Sequence, residues 1–166
     1  MKYIGILSDT HGFVDPAIFD YLKDCDEIWH AGDFGNSVST ALSTFKPLKG
    51  VYGNIDGTAD RQRFPEDLLF NCEGIRIFIT HIGGYPNHYP SRVKRIIETA
   101  RPDLFISGHS HILKIVRDPV CQLLHINPGA AGRSGFHQVR TMVRLKIDAG
   151  KISGVEVIEL GKRSVK

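Results

Sequence analysis

Residues 2–12 of the chain read KYIGILSDTHG. The apolar run Lys2–Leu7 predicts a buried β-strand, and the chain becomes polar immediately after it. Asp9 and His11 follow the end of this strand two positions apart, and in an extended chain that spacing points both side chains the same way. Gly12 then allows the chain to turn away. The segment predicts a sheet with a pair of metal ligands at the carboxyl end of one strand.

Four later segments repeat this arrangement of a short apolar run followed by metal-ligand side chains close to glycine. The predicted strands are Glu27–Ala31, Pro47–Tyr52, Ile75–Thr80 and Leu104–Ser107, and they lead into Gly32-Asp33, Gly53-Asn54, His81-Ile82-Gly83 and Gly108-His109-Ser110-His111. Because sites in open α/β sheets form beyond the carboxyl ends of strands, we expect all seven ligands along one sheet edge. Two carboxylates, one amide and four imidazoles form the donor set that a pair of divalent metals requires.

Helical patterns alternate with these strands in the first part of the chain. Asp15-Pro16 predicts the start of a helix, and helices are also predicted over Ser37–Phe45 and Pro90–Thr99. Further strands are predicted at Leu68–Phe70, Ile112–Val116, Cys121–Ile126, Val139–Ile147 and Ile152–Leu160. The fold class is therefore α/β, and the β-rich later half indicates a second sheet packed on the first. No linker or repeat divides the sequence, so residues 1–166 are expected to form a single domain.

Composition excludes several classes of protein. The 21 Lys and Arg residues are scattered and the net charge is only +3, which argues against nucleic acid as a main partner. The three cysteines are far apart and match neither a disulfide framework nor a zinc site. No apolar run approaches the roughly 20 residues of a membrane span, and Met1–Leu7 does not read as a signal peptide. We expect a cytoplasmic protein without membrane contact, as a monomer or a homo-oligomer.

The ligand set also indicates an anionic substrate. Asp9 and Asp33 contribute a charge of about −2 and two divalent ions about +4, so the loaded site carries about +2. Phosphate oxygens are hard ligands for such ions. Two metals roughly 3.5–4 Å apart can activate a bridging water for an in-line displacement. The sequence therefore predicts metal-assisted hydrolysis of a small phosphoester.

The complete set of motifs resembles, in the same order, that of the calcineurin-like metallophosphoesterase family. The matching motifs are Asp9-x-His11, Gly32-Asp33, Gly53-Asn54, His81 and Gly108-His109-x-His111. The resemblance extends from Lys2 to about Gly132, and Asn127-Pro128-Gly129 is similar to the small single-domain phosphodiesterase branch. It implies a two-sheet αββα sandwich and a phosphodiesterase in which a hydroxide held by two metals attacks the phosphoester.

The resemblance also implies how the ligands divide between the two metals. Asp33 would bridge both ions. Asp9, His11 and His111 would hold one ion, and Asn54, His81 and His109 would hold the other. We assign Asp33, Asn54 and His109 to catalysis as well as to metal binding. We expect manganese, and these nitrogen and oxygen ligands also allow iron, cobalt, nickel or zinc.

One position departs from the family pattern. Many members carry a histidine directly after the asparagine, whereas this chain has Ile55, as the small phosphodiesterase branch tends to. Isoleucine cannot donate a proton, so we expect a preference for good leaving groups. Asp56 is interpreted either as a residue that orients a ligand or as a turn residue. Asn127 and Gly129 either form only a turn or line the site.

The remaining histidines are expected to lie outside the set of metal ligands. His30 lies within a predicted strand and is expected to be structural, whereas His88, His125 and His137 fit no ligand spacing and are expected at the surface or a pocket rim.

The alternative function is a catalytically weak protein-binding scaffold, as in the retromer subunit that resembles this family. A scaffold predicts eroded ligands, and all seven are present here. A mononuclear metal-binding or nucleic-acid-associated module is a weaker third hypothesis.

Overall fold

The computed structural model describes residues 1–164, which contain ten strands and four helices. The strands are β1 Lys2–Leu7, β2 Glu27–His30, β3 Leu48–Gly50, β4 Asp67–Cys72, β5 Ile75–Thr80, β6 Leu104–Ile106, β7 Lys114–Asp118, β8 Leu123–Asn127, β9 Val139–Asp148 and β10 Lys151–Lys162. The helices are α1 Ala17–Leu22, α2 Val38–Phe45, α3 Thr58–Arg63 and α4 Ser91–Ala100. Within this range, no helix combines the length and apolar character needed to cross a membrane.

The predicted elements are present with small shifts at their ends, except that α3 was not predicted. The first helix begins at Ala17 and Pro16 is its N-cap residue, one position later than predicted, but Asp15 still satisfies its first turn, since Oδ1 of Asp15 accepts a hydrogen bond from the Ala17 amide at 2.9 Å. Helix α3 has the sequence TADRQR and buries no residue, so it carries no apolar periodicity for sequence analysis to detect.

The strands form two five-stranded mixed sheets. The first sheet has the order β10-β9-β1-β2-β3, and the second has the order β4-β5-β6-β8-β7. The central pairs β1–β2, β2–β3, β5–β6 and β6–β8 are parallel. The prediction that the later half forms the second sheet was only partly right: β7 and β8 belong to that sheet, but β9 returns to pair antiparallel with β1, with Ile4 opposite Leu145, and β10 pairs with β9.

Helices cover the outer faces of both sheets, which confirms the αββα sandwich. Ile4 and Ile6 of β1 pack with Ile77 and Ile79 of β5 in the apolar core between the sheets. Helices α1 and α2 pack on the outer face of the first sheet, and α4 packs on that of the second through Val93 and Ile97. Because successive side chains of a strand point to opposite faces, each sheet contributes one face to the core between the sheets and the other to a helix-covered layer.

Candidate metal centre

The predicted ligands meet where parallel strands of both sheets end, rather than along one sheet edge. Asp9, Asp33 and Asn54 follow β1, β2 and β3 of the first sheet, and His81 and His109 follow β5 and β6 of the second. The expectation of a single edge was wrong because β5 and β6 pair with each other instead of joining β1. The two sheets thus contribute facing halves of one site.

One group of ligands surrounds Asp9. Its Oδ1 atom lies 3.1 Å from Nε2 of His111 and 3.7 Å from Nε2 of His11. Asp9 is fully buried, and neither its Oδ1 nor the Nε2 of His11 has a hydrogen-bond partner among the described residues. Buried polar atoms are normally paired, so two orphaned atoms that face each other fit a cation between them. The residues present therefore suit a divalent metal.

The second group surrounds Asn54. Its Oδ1 atom lies 3.1 Å from Nε2 of His81 and 3.1 Å from Nδ1 of His109. Asp33 lies between the two groups, with its Oδ2 atom 3.3 Å from Nε2 of His11 and 3.2 Å from Nε2 of His81. The Asp33 carboxylate thus contacts one histidine of each group.

Five of the seven ligands have left-handed backbone conformations. The φ angles are +53° at Asp9, +47° at His11, +58° at Asp33, +69° at His109 and +61° at His111. Residues other than glycine rarely adopt this region, and such strain concentrates at functional sites. Asp9 and His11 therefore converge through a tight left-handed loop, and not through the extended chain that their spacing had suggested.

Two of the neighbouring glycines are required because ligand side chains pack directly on their backbone. A Cβ atom at Gly53 would overlap the Asp33 carboxylate, and a Cβ at Gly108 would overlap Ser8 and crowd the carboxylate of Asp9. The association of glycine with ligands in the sequence thus has a steric cause.

Hydrogen bonds to the far ring nitrogens fix two of the histidines. Nδ1 of His81 lies 2.7 Å from the carbonyl oxygen of Ala31 and donates to it, so in the neutral ring Nε2 carries the lone pair that faces Asp33. Nε2 of His137 similarly donates to the Gly132 carbonyl at 2.8 Å, so Nδ1 of His137 accepts from Nδ1 of His111 at 3.3 Å. In the neutral ring, the Nε2 lone pair of His111 consequently points to Asp9.

The electrostatics favour ionised carboxylates. Burial by itself would raise the pKa of Asp9, but the imidazoles of His11 and His111 hold that pKa well below its usual range. The pKa of Asp33 is also lowered, since His81 outweighs the opposing effect of burial. In return, Asp9 raises the pKa of His11. The site therefore presents two anions to any bound cation.

Asp56 and Asn127 hold the backbone that carries the ligands. Asp56 is buried, and its carboxylate accepts from the Gly35 amide at 3.1 Å and the Gly53 amide at 2.8 Å, which ties together the loops after Asp33 and before Asn54. The side chain of Asn127 donates to the Gly108 carbonyl and to Ser110 Oγ, each at 3.0 Å.

The other histidines and Gly129 lie in varied environments. His30 is buried, and its pKa falls to about 3 through burial, as suits a structural residue. His88 is exposed as expected. His125 is buried rather than at the surface, although it lines a cavity. Gly129 packs near Thr141 instead of against the ligands.

Two further residues support the candidate site: His137, which was expected at the surface or a pocket rim and not beside His111, and Ser8, which the sequence analysis did not single out. His137 contacts the ligand His111, and Ser8 Oγ donates to Oδ2 of Asp9 at 2.6 Å. His137 precedes β9, far along the chain from His111, so no local spacing connects the two. Ser8 adjoins a ligand, and that position was the only available signal.

Comparisons with known proteins identify the family and the fold. Residues 1–150 match the calcineurin-like phosphoesterase superfamily domain. A probable metallophosphoesterase of Methanothermobacter thermautotrophicus is 31% identical over 166 positions, which cover 95% of this chain and 92% of that protein.

Solved structures share the fold at lower sequence identity. An archaeal phosphodiesterase superposes with a TM-score of 0.73 at 22% identity, covering 95% of this chain and 99% of its own. A single mutant of Vps29 from Entamoeba histolytica superposes with a TM-score of 0.74 at 17% identity, covering 96% and 99%. On the sequence matches and the shared fold, the chain belongs to the calcineurin-like phosphoesterase superfamily.

Proposed function

We propose that this metallophosphoesterase is a phosphodiesterase that uses two divalent metal ions. The observation that carries the proposal is the position of Asp33, whose Oδ2 atom lies within 3.3 Å of a histidine from each ligand group. A single ion has little use for seven ligands in two groups, whereas two ions need a shared anion between them.

The ligand groups define the proposed division of roles. Asp9, His11 and His111 would hold the first ion, Asn54, His81 and His109 the second, and Asp33 both. When bound, the ions would supply Lewis-acid activation of water and neutralise charge on the phosphoryl oxygens. Manganese suits the mixed oxygen and nitrogen ligands, and a net charge of about +2 on the loaded site would attract an anionic phosphoester.

The residue after Asn54 bears on the choice of substrate. Ile55 is exposed, and its backbone amide donates to Oδ1 of Asp33 at 3.0 Å. It therefore helps to orient the proposed bridging carboxylate, but its side chain has no proton to give to a leaving group. Phosphodiesters with good leaving groups are the expected laboratory substrates.

The test is hydrolysis of bis(4-nitrophenyl) phosphate by protein reconstituted with manganese. We expect turnover that a chelator abolishes and that added manganese restores. His109→Ala should lower kcat/KM by about 100-fold or more, the scale of losses when groups supporting a metal site are removed. His88→Ala, which changes an exposed histidine, is the matched control. Wild-type rates in His109→Ala would reject the proposed site.

A protein-binding scaffold is the second candidate. The observation in its favour is the group of exposed apolar side chains Ile82, Tyr85 and Ile112, which line a cavity shared with His109. If no phosphoester turns over with manganese, iron, cobalt, nickel or zinc, the scaffold becomes the better proposal.

A further inference from the structure

A cavity of about 210 Å³ opens beside the proposed second metal position. Asn54 and His81 line it, together with the side chains of Arg61, Arg92 and Glu66. The cavity thus places two guanidinium groups next to ligands that would hold a metal.

The two arginines differ in how they are paired. Arg92 forms ion pairs with Asp67 and, at 3.5 Å, with Glu66, so its charge is neutralised locally. Arg61 has no carboxylate within 4.0 Å among residues 1–164. Arg61 is therefore the cavity arginine whose charge remains available to an anion.

The guanidinium of Arg61 is held in place by uncharged contacts. Its Nε donates to the Asp56 carbonyl at 2.7 Å and its Nη2 to the Asn54 carbonyl at 3.3 Å, while the group stacks 4.6 Å from the ring centre of Tyr52. A guanidinium carries five N–H donors, so three remain without a protein acceptor in the described structure. A guanidinium that is held in a fixed position, and whose charge no carboxylate neutralises, suits the binding of phosphate oxygens.

We propose that Arg61 binds a phosphoryl oxygen of the substrate from the side of the second metal position. The inference rests on the proposed function and adds a substrate-binding residue to it. Arg92 is already paired with two carboxylates, so Arg61 is the cationic group of the cavity that remains to hold an anion. Because the guanidinium touches the Asn54 backbone, the phosphate it binds would lie beside the ligands and not at a remote surface.

Three variants separate the effect of the Arg61 charge from the effect of its structural contacts. Arg61→Gln removes the charge and keeps an amide donor for the Asp56 carbonyl, and Arg61→Lys keeps the charge. Arg63→Gln is the matched control, because Arg63 lies on the same helix and stacks on Phe64 instead of lining the cavity. The measurements are the dissociation constant of inorganic phosphate by calorimetry on the zinc-loaded protein, and the metal content of each variant.

We expect Arg61→Gln to weaken phosphate binding about tenfold, as for the loss of one charge-assisted hydrogen bond. Arg61→Lys keeps the charge but not the guanidinium geometry, so it should lose less affinity than Arg61→Gln; Arg63→Gln should bind like wild type, and metal content should not change. Wild-type phosphate affinity in Arg61→Gln overturns the inference, and so does an equal loss in all three variants or a loss that follows reduced metal content. Failure of the proposed function is seen separately, as absence of turnover in wild-type protein that still binds phosphate.

Discussion

Oδ2 of Asp33 lies 3.2 Å from Nε2 of His81, although Asp33 follows a strand of the first sheet and His81 follows a strand of the second. The same oxygen lies 3.3 Å from Nε2 of His11 on its other side. The Asp33 carboxylate therefore lies between the two sheets and contacts a histidine of each proposed ligand group.

Asp33→Asn should weaken both metal positions. The amide lacks the negative charge that a shared ligand supplies to two cations, so we expect loss of bound manganese at both positions and a fall in kcat/KM of about 100-fold or more. Metal analysis after dialysis and a phosphodiester assay measure the two effects. Asp24→Asn, at an exposed position, is the control. Full metal content with wild-type turnover would show that Asp33 is not a bridge.

His111→Ala and His109→Ala should act on different ions. His111 faces Asp9 and His109 faces Asn54, so each substitution should chiefly weaken the position to which its residue belongs. Calorimetric titration of the metal-free protein with manganese should show one retained and one weakened metal site in each variant. If both variants lose the same site, the division of ligands is wrong.

His137 should position His111. Its Nδ1 accepts the proton of His111 Nδ1, which fixes the tautomer whose Nε2 points to Asp9. His137→Phe removes that acceptor and should weaken the first metal position about 10- to 100-fold. Calorimetric titration with manganese measures the change, with His88→Phe as the control. Unchanged affinity at both positions would assign His137 a packing role only.

Rates should depend steeply on the leaving group. Ile55 cannot protonate a departing oxygen, so rates for a series of aryl phosphodiesters should fall as the pKa of the leaving alcohol rises. In Ile55→His, the dependence of the rate on the pKa of the leaving alcohol should become weaker if the imidazole reaches the leaving oxygen. A flat dependence in the wild type, with chemistry rate-limiting, would mean that another group supplies the proton.

The sequence pattern that predicts the proposed ligands is a metal-ligand side chain just after a strand end and close to a glycine. Gly53 and Gly108 are needed where the carboxylates of Asp33 and Asp9 pack on the backbone, so sequence pattern and geometry share a cause. The pattern could not assign strands to sheets, since periodicity shows which residues are buried and not which strands pair. The error over a single sheet edge followed from that limit.

Residues that reach the site through the fold alone left no comparable signal. His137 meets His111 only after the chain has passed through β7 and β8, and Arg61 lies on a short polar helix without an apolar face. Both contacts depend on tertiary placement, which a single sequence does not encode in local spacing.

The number of metal ions bound per chain tests the central claim most directly. Metal-free protein should be reconstituted with manganese, freed of excess metal and measured by elemental analysis against protein concentration. The seven ligands in two groups around Asp33 predict about two ions per chain. A firm plateau at one ion per chain would contradict the account.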